Sequence, residues 1–511
     1  MVAVGLPGWE RRPWWGGDYA EPVQAPFSFL WHDYETFGRS ARFDRPAQFA
    51  AIRTDAELNE IGAPCMWYCR PDPELLPEPE AVLLTGILPQ TCAQQGLAEA
   101  AFAAAIEQEL AAPGTVGVGY NTLRFDDEFT RHLLWRNLYD PYAREWQNGC
   151  GRWDLLDLVR ACHALRPEGI EWPLGEDGRS SFKLERLSRA NGLLHEAAHD
   201  ALSDVRATIA LARLIRLRQP RLFDFALKLR RKEAVWAEIG AMPRPLLHVS
   251  GRYGVERGCL ALVWPLGMHP RNKNELILWD LSADPAELFD LRPEAIRARL
   301  FVANDALPAG VTRLPIKTLH ANKSPFVCAN LQTLKPERAA ALGLDLALAL
   351  RHAEQLHTQG GRLDGLWAEV FLPPEPQRLS ADADLYGGFV PEADRRLLTQ
   401  LRQLEPARLA ERVQAGRVAF ADPRLDELLW LYRARNHPEA LSQAERARWE
   451  QERAERLHVS GRVTLAAYLE RLDALHEQLG EDERAGDLLG ALMDWAEHIA
   501  PPLPLSGFAA G

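Results

Sequence analysis

The first apolar run of the chain, Phe27-Ser28-Phe29-Leu30-Trp31-His32, leads directly into Asp33-Tyr34-Glu35-Thr36. Residues two apart in an extended strand point to the same face, so Asp33 and Glu35 share one. They stand roughly 6–7 Å apart along the backbone, from a rise of about 3.3 Å per residue. Two carboxylates placed this way at the end of a buried strand repel each other unless a cation sits between them. The stretch therefore reads as part of a divalent-metal site on a rigid element, or as a strand end with two solvated acids. Further acids converging on it would decide between the two.

Strands are predicted at 27–36, Ala47–Thr54 and Pro64–Cys69, with a turn at Asp55–Asn59, which makes a β-meander. Thr85 is read as a helix N-cap, Leu97–Ala112 as an Ala/Leu/Glu-rich helix and Thr115–Tyr120 as a short strand. Helices follow at Asp126–Leu138, Trp153–Leu165, Phe182–Ala190 and Ala201–Leu217. This order gives an α/β layout on a mixed sheet with the meander at one edge. From Pro243 to Ser380 short strands alternate with Gly and Pro turns, as in a small β-barrel or sandwich with helical insertions, notably Ala339–His357. Beyond Ser380 the pattern is almost entirely helical.

A chain of 511 residues exceeds one ordinary core, so several domains are expected. The expected limits are 1–26 for a disordered extension, 27–218, 219–375 and 376–500 for three domains, and 501–511 for a tail. No apolar run approaches the ~20 residues that span a bilayer. Residues 1–26 lack the basic-then-apolar order of a secretory signal, which points to the cytoplasm and away from the membrane. The seven cysteines are irregularly spaced and read as reduced thiols. A net charge of −12 counts against nucleic-acid binding, yet nine Lys or Arg residues and a single acid, Asp224, lie between Val205 and Lys232. That run is either a solvated face or a phosphate-tracking surface.

Downstream acids complete a pattern. Asp126 follows the strand Thr115–Tyr120, and His199 and Asp204 lie in His199-Asp200-Ala201-Leu202-Ser203-Asp204. Phosphodiester cleavage needs an activated water and stabilisation of the leaving oxygen, and two divalent ions about 3.5–4 Å apart serve both. Mg²⁺ prefers oxygen ligands, which carboxylates from separate elements supply. A neutral histidine near the attacking water can take its proton. The order Asp-x-Glu…Asp…His-x4-Asp resembles that of the DEDD-type 3′→5′ exonucleases, in the subclass with a histidine, of the ribonuclease H-like superfamily.

Longer stretches resemble the bacterial exodeoxyribonuclease I family. They include Phe29–Gly38, Arg45–Asp55, Gly119–Glu128, Arg152–Asp157, Ala164–Ile170, Ala198–Ala201, His248–Gly251 and Tyr432–Asn436. The resemblance spans about residues 27–500 and leaves the N-terminal extension unmatched. It implies a ribonuclease H-like exonuclease domain, an SH3-like β-barrel domain and an all-α C-terminal domain around single-stranded DNA. The implied activity is processive 3′→5′ release of 5′-mononucleotides in DNA repair and recombination, with two Mg²⁺ ions that Mn²⁺ can replace. The implied protein partner is single-stranded DNA-binding protein, through its C-terminal tail, and the chain is expected to be a monomer. Position by position, Asp33, Glu35 and Asp204 would hold one ion, Asp33 and Asp126 the other, and His199 would be the general base. Glu35 would also sit near the terminal 3′-hydroxyl. Lys183 stands where the family typically has Arg, keeping the charge and losing the bidentate fork.

Single-strand binders combine basic grooves with stacking aromatics. The expected DNA contacts in the exonuclease region are Arg131, Tyr142, Trp146, Arg160, Arg166, Phe182 and Lys183. Further along they are Lys232, Lys317, His320, Asn322 and Lys323. The aromatics read equally as core and the basic residues as solvated surface. Two other functions fit the same residues: an exonuclease preferring RNA or short oligonucleotides, and a non-catalytic single-strand-binding protein.

Overall fold

The computed structural model describes residues 27–193, 200–373, 375, 378–480 and 482–502. The expected N-terminal extension, nearly all of the expected tail and His199 lie outside them. The chain divides into two compact units, one of 27–150, 196–206 and 377–511, the other of 1–26, 151–195 and 207–376.

The first unit is built on β1 (Ser28–Thr36), β2 (Pro46–Thr54), β3 (Cys65–Tyr68) and β4 (Thr115–Gly119), in sheet order β3-β2-β1-β4. β1 pairs antiparallel with β2 and parallel with β4, so the sheet is mixed, and the meander stands at one side as expected. Two β-strands running parallel require a crossover, and three helices provide it: α1 (Pro79–Thr85), α2 (Pro89–Gln95) and α3 (Glu99–Leu110). α3 packs Phe102, Ala103, Ile106 and Leu110 onto Leu30, Tyr34 and Phe49 of the sheet. Burying a side chain of this size contributes roughly 1.5–3 kcal/mol.

Thr85 closes α1 instead of capping the start of a helix. Pro79 begins α1, and Gly86, at φ +73°, ends it in the left-handed conformation that glycine adopts without strain. α4 (Asp126–Arg136) then carries acids in its first turn. The C-terminal helices of this unit form two cores. One joins Leu398, Leu401, Leu425 and Leu428 to Trp135 and Leu138 beside α4. The other joins Leu472, Leu475, Leu489 and Leu492 to Phe37, Val82 and Cys92.

In the second unit, Trp153 and Asp154 end a short strand, β5 (Gly151–Asp154), and do not begin the helix expected there. Asp154 instead caps α5 (Leu155–Leu165), its carboxylate accepting from the Leu156 N–H at 2.9 Å. α6 (Leu184–Ala190) is shorter than expected. α7 (Ala201–Arg218) runs through both divisions of the chain. Five antiparallel strands follow: β6 (Leu246–Val249), β7 (Leu260–Met268), β8 (Glu275–Asp280), β9 (Ile316–His320) and β10 (Phe326–Cys328), ordered β10-β6-β7-β8-β9. This SH3-like sheet agrees with the small barrel or sandwich expected for this stretch. The insertion expected at Ala339–His357 is two helices, Pro336–Ala341 and Leu346–Gln359, broken at Gly343 (φ +65°).

Candidate active site

β1 delivers Asp33 and Glu35 on one face at its C-terminal end, where it pairs Asp33 with Ala50 and Glu35 with Gln48 of β2. The Gln48 side chain reaches on to the start of α7, accepting from the Ala201 N–H at 3.3 Å. Asp200 caps that helix by accepting from the Ser203 N–H at 3.1 Å. Asp204 stands one turn further along, in the first turn of α7. Carboxylate oxygens of Asp33, Glu35 and Asp204 all lie within 4.8 Å of one another.

The fourth acid arrives from the opposite side. Gly119 ends β4 where a Cβ would stand 2.6 Å from the carbonyl of His32, so only glycine permits the approach to β1. Asn121 then turns the chain at φ +68°, a conformation asparagine tolerates, and α4 begins at Asp126. Asp126 is 3% exposed, and its Oδ1 accepts from the Tyr34 N–H at 3.1 Å. Thr130, one turn on, donates to the Asp126 carbonyl at 2.9 Å, and its hydroxyl oxygen lies 3.0 Å from that of Tyr34. The neighbouring Asp127 faces away into a buried pair with Arg144, at 2.6 Å.

The electrostatics match a cation site. Burial, then Asp126 and Asp204, hold the Asp33 carboxyl well above its usual range. Burial, then Asp33 and Asp204, push Glu35 up to about 9. Acids forced together against this repulsion are held at a cost the fold meets elsewhere, which marks a functional site. The donor set is all oxygen, so the residues fit a hard divalent cation.

The expected DNA contacts divide between the two units. In the first, Trp146 is 67% exposed and Tyr142 half-buried. Arg131 is buried: it donates to Glu145 at 2.7 Å and to Glu128 at 2.8 Å, with its guanidinium 5.4 Å from the Tyr142 ring centre. In the second, Lys183 is exposed beside half-buried Phe182, whose ring packs edge-on against His163 at 5.1 Å. Arg160 pairs with Asp157 at 2.8 Å, and Arg166 donates to the Thr333 carbonyl at 2.8 Å. Lys317 Nζ meets His248 Nε2 at 2.7 Å, and His320 lies 3.3 Å from Glu275. Lys232 and Asn322 are exposed, and Lys323 is half-buried. Sequence reasoning passed over Tyr386, whose hydroxyl meets Glu128 and Arg131 beside α4; only its Tyr-Gly-Gly-Phe setting, an aromatic turn, could have flagged it.

A mixed sheet with acids from a strand, a following helix and a late helix defines an exonuclease of ribonuclease H-like fold. Family models agree: one described as Exonuclease matches residues 30–212, the Exonuclease I SH3-like domain matches 230–373, and the Exonuclease I C-terminal domain matches 379–499. The chain is 45% identical over 475 residues to exodeoxyribonuclease I of Escherichia coli, covering 92% of this chain and 98% of that one. Solved structures repeat the likeness. That of E. coli Exonuclease I in complex with a dA16 oligonucleotide is 44% identical, with TM-score 0.88 over 93% of this chain and 100% of that one. The zinc-bound form of the E. coli ExoI–ssDNA complex is 43% identical, with TM-score 0.87 and the same coverage. An SSB/Exonuclease I structure in complex with the inhibitor CFAM is 42% identical, with TM-score 0.85 and again the same coverage. The chain belongs to the exodeoxyribonuclease I family and is an exonuclease. No helix among the described residues is long and apolar enough to cross a membrane.

Proposed function

We propose that this chain degrades single-stranded DNA from its 3′ end to 5′-mononucleotides with two Mg²⁺ ions, as a cytoplasmic monomer acting in DNA repair and recombination. The observation that carries this reading is the convergence of Asp33, Glu35 and Asp204 within 4.8 Å, with Asp126 tied to the same strand. Related E. coli enzymes, crystallised with oligonucleotide and with zinc, support both the substrate and a divalent cation. The SSB/Exonuclease I structure supports SSB as a partner.

Asp33, Glu35 and Asp204 would hold one cation, and Asp33 with Asp126 the second. When bound, divalent cations supply a more acidic attacking water and neutralise charge on the leaving oxygen. His199 would take the proton of that water, and Glu35 would orient the terminal 3′-hydroxyl. β1 holds the two acids it carries through its pairing with β2, Asp33 opposite Ala50 and Glu35 opposite Gln48. Exposed Lys183 and Lys232 would attract phosphates, and Tyr142, Trp146 and Phe182 would stack on bases. Arg131, buried among Glu128 and Glu145, would hold the Tyr142 ring in place. Arg160, Arg166, Lys317, His320, Asn322 and Lys323 would line the strand's path. The domain limits proposed are 27–218, 219–375 and 376–500.

Strands labelled at either end and followed over time test the reading. Mononucleotides should leave the 3′ end in Mg²⁺ and stop in EDTA. Release from the 5′ end first, or faster cleavage of RNA than DNA, would overturn it.

A further inference from the structure

Two adjacent residues of opposite charge, Arg144 and Glu145, face two residues of opposite charge one helical turn apart on α4, Asp127 and Arg131. Arg144 Nη2 donates to Asp127 Oδ1 at 2.6 Å, and Arg131 donates to both carboxylate oxygens of Glu145, at 2.7 and 3.1 Å. The pairs cross: twice, the base of one segment holds the acid of the other. All four side chains are largely buried, exposed by 1% and 2% in the first pair and by 7% and 10% in the second. Charges withdrawn from water are costly when unpaired, so neither segment can move off the other cheaply.

What the clasp joins gives it a use. Asp127 directly follows Asp126, so the Arg144 pair grips the turn that presents an acid of the site. Arg144 and Glu145 themselves lie between half-buried Tyr142 and exposed Trp146. The Arg144 guanidinium also rests against the sheet: Nη1 lies 3.5 Å from where a Cβ of Gly117 would stand on β4, and His32 Nε2 of β1 lies 3.4 Å from the same point. Nε and Nη1 of Arg144 are buried without a hydrogen-bond partner among the described residues. A buried arginine paired through one nitrogen costs the fold stability, which calls for a role beyond packing.

We propose that Arg144 and Glu145 are positioning residues for the nuclease reaction. Their crossed ion pairs lock the segment 142–146 to the first turns of α4, so that the bound strand and the metal ligands share one frame. The proposal rests on the single-strand exonuclease reading above. Arg144 acts through Asp127 on the place of the Asp126 carboxylate. Glu145 acts through Arg131 on the place of the Tyr142 ring, whose centre is 5.4 Å from that guanidinium. The two halves therefore carry separate signatures.

Mn²⁺ binding without DNA, followed by electron paramagnetic resonance, reads the first half. Arg144→Met should weaken it about tenfold, the scale of a lost outer-shell partner, and lower kcat with KM little changed. Arg144→Lys keeps the charge and should restore most of that affinity. Should Arg144→Met fail to fold, Asp127→Asn weakens the same bond from the other side and should lose Mn²⁺ affinity in the same direction. Strand binding in EDTA, followed by fluorescence anisotropy, reads the second half. Glu145→Gln should weaken it several-fold and raise KM with kcat retained, while Mn²⁺ binding stays unchanged. Wild-type Mn²⁺ affinity and kcat in folded Arg144→Met or Asp127→Asn, or a loss of thermal stability alone in the variants of both halves, overturns the proposal while the exonuclease reading stands. A wild type that neither binds nor cleaves single strands defeats both.

Discussion

The backbone N–H of Tyr34 donates to Oδ1 of Asp126 at 3.1 Å, across 92 positions of sequence. That bond sets the first turn of α4 against the end of β1, between the two acids that β1 carries. Asp126 and Asp33 are therefore brought together by a main-chain donor on β1 and the Asp126 carboxylate itself, a link that Asp126→Ala would remove.

Asp126, Asp204 and Asp200 all act on Asp33, whereas the groups acting on Glu35 are Asp33, Asp204 and Asp200, without Asp126. Asp33→Asn is therefore expected to cost more than Glu35→Gln. Loss of several kcal/mol of charge stabilisation corresponds to a fall on the order of 10³-fold in kcat for Asp33→Asn. Steady-state kinetics across a Mg²⁺ titration check this, and equal, mild losses in the two variants would contradict the assignment.

Glu35 gives a pH dependence with a definite sign. Its carboxyl is pushed up to about 9 in the folded chain by burial and then by Asp33, from an ordinary value near 4.5. Between those values the folded chain binds the extra proton, so stability of the metal-free protein falls as pH rises. Tm measured in EDTA should decline from about pH 5 to pH 9, and Glu35→Gln should flatten that slope. Adding Mg²⁺ should release protons and restore Tm most at the alkaline end. A Tm that rises with pH in the wild type alone would oppose this.

The site's frame was legible because strand alternation fixes which residues share a face: Asp33 and Glu35 could only lie together. Asp126 and Asp204 were found through their order in the chain, since nothing local says that α4 and α7 converge on β1. The structure supplies the local reasons, in Gly119 beneath His32 and Gln48 beside Ala201. Misreadings came where tertiary pairing overrides local pattern. Trp153 and Asp154 carry helix-like neighbours yet form strand, and Thr85 ends a helix that Pro79 had already begun.

A buried ionic network ties the C-terminal helices to the strand-bearing region within one unit. Arg435 donates to Asp382 and contacts Glu74, each at 2.8 Å, and Arg45 donates to Asp72 at 2.7 Å. Burial opposes the charge on Asp382, but Arg435 and then Arg45 hold its carboxyl far below the usual carboxylate range. Such a group adds stability that is present above its unfolded pKa and is lost progressively as pH falls below about 4. Arg435→Met strands buried carboxylates and should cost about 3–5 kcal/mol. Denaturant unfolding at pH 7 and an acid titration check this. The variant should begin to unfold at a higher pH than the wild type, and coincident acid transitions would remove Asp382 from the account.

Lys183 stands where the resemblance leads one to expect arginine. Its side chain is exposed next to Phe182, at the N-cap of α6. A lysine offers a phosphate one compact charge, where arginine offers a planar fork. Lys183→Arg should tighten single-strand binding by a few-fold and leave the salt dependence unchanged, because the charge is the same. Lys183→Met should weaken binding about equally for all sequences and lower the slope of log affinity against log salt by about 1. Fluorescence anisotropy at several salt concentrations in EDTA measures both. An unchanged slope in Lys183→Met would place Lys183 away from the phosphates.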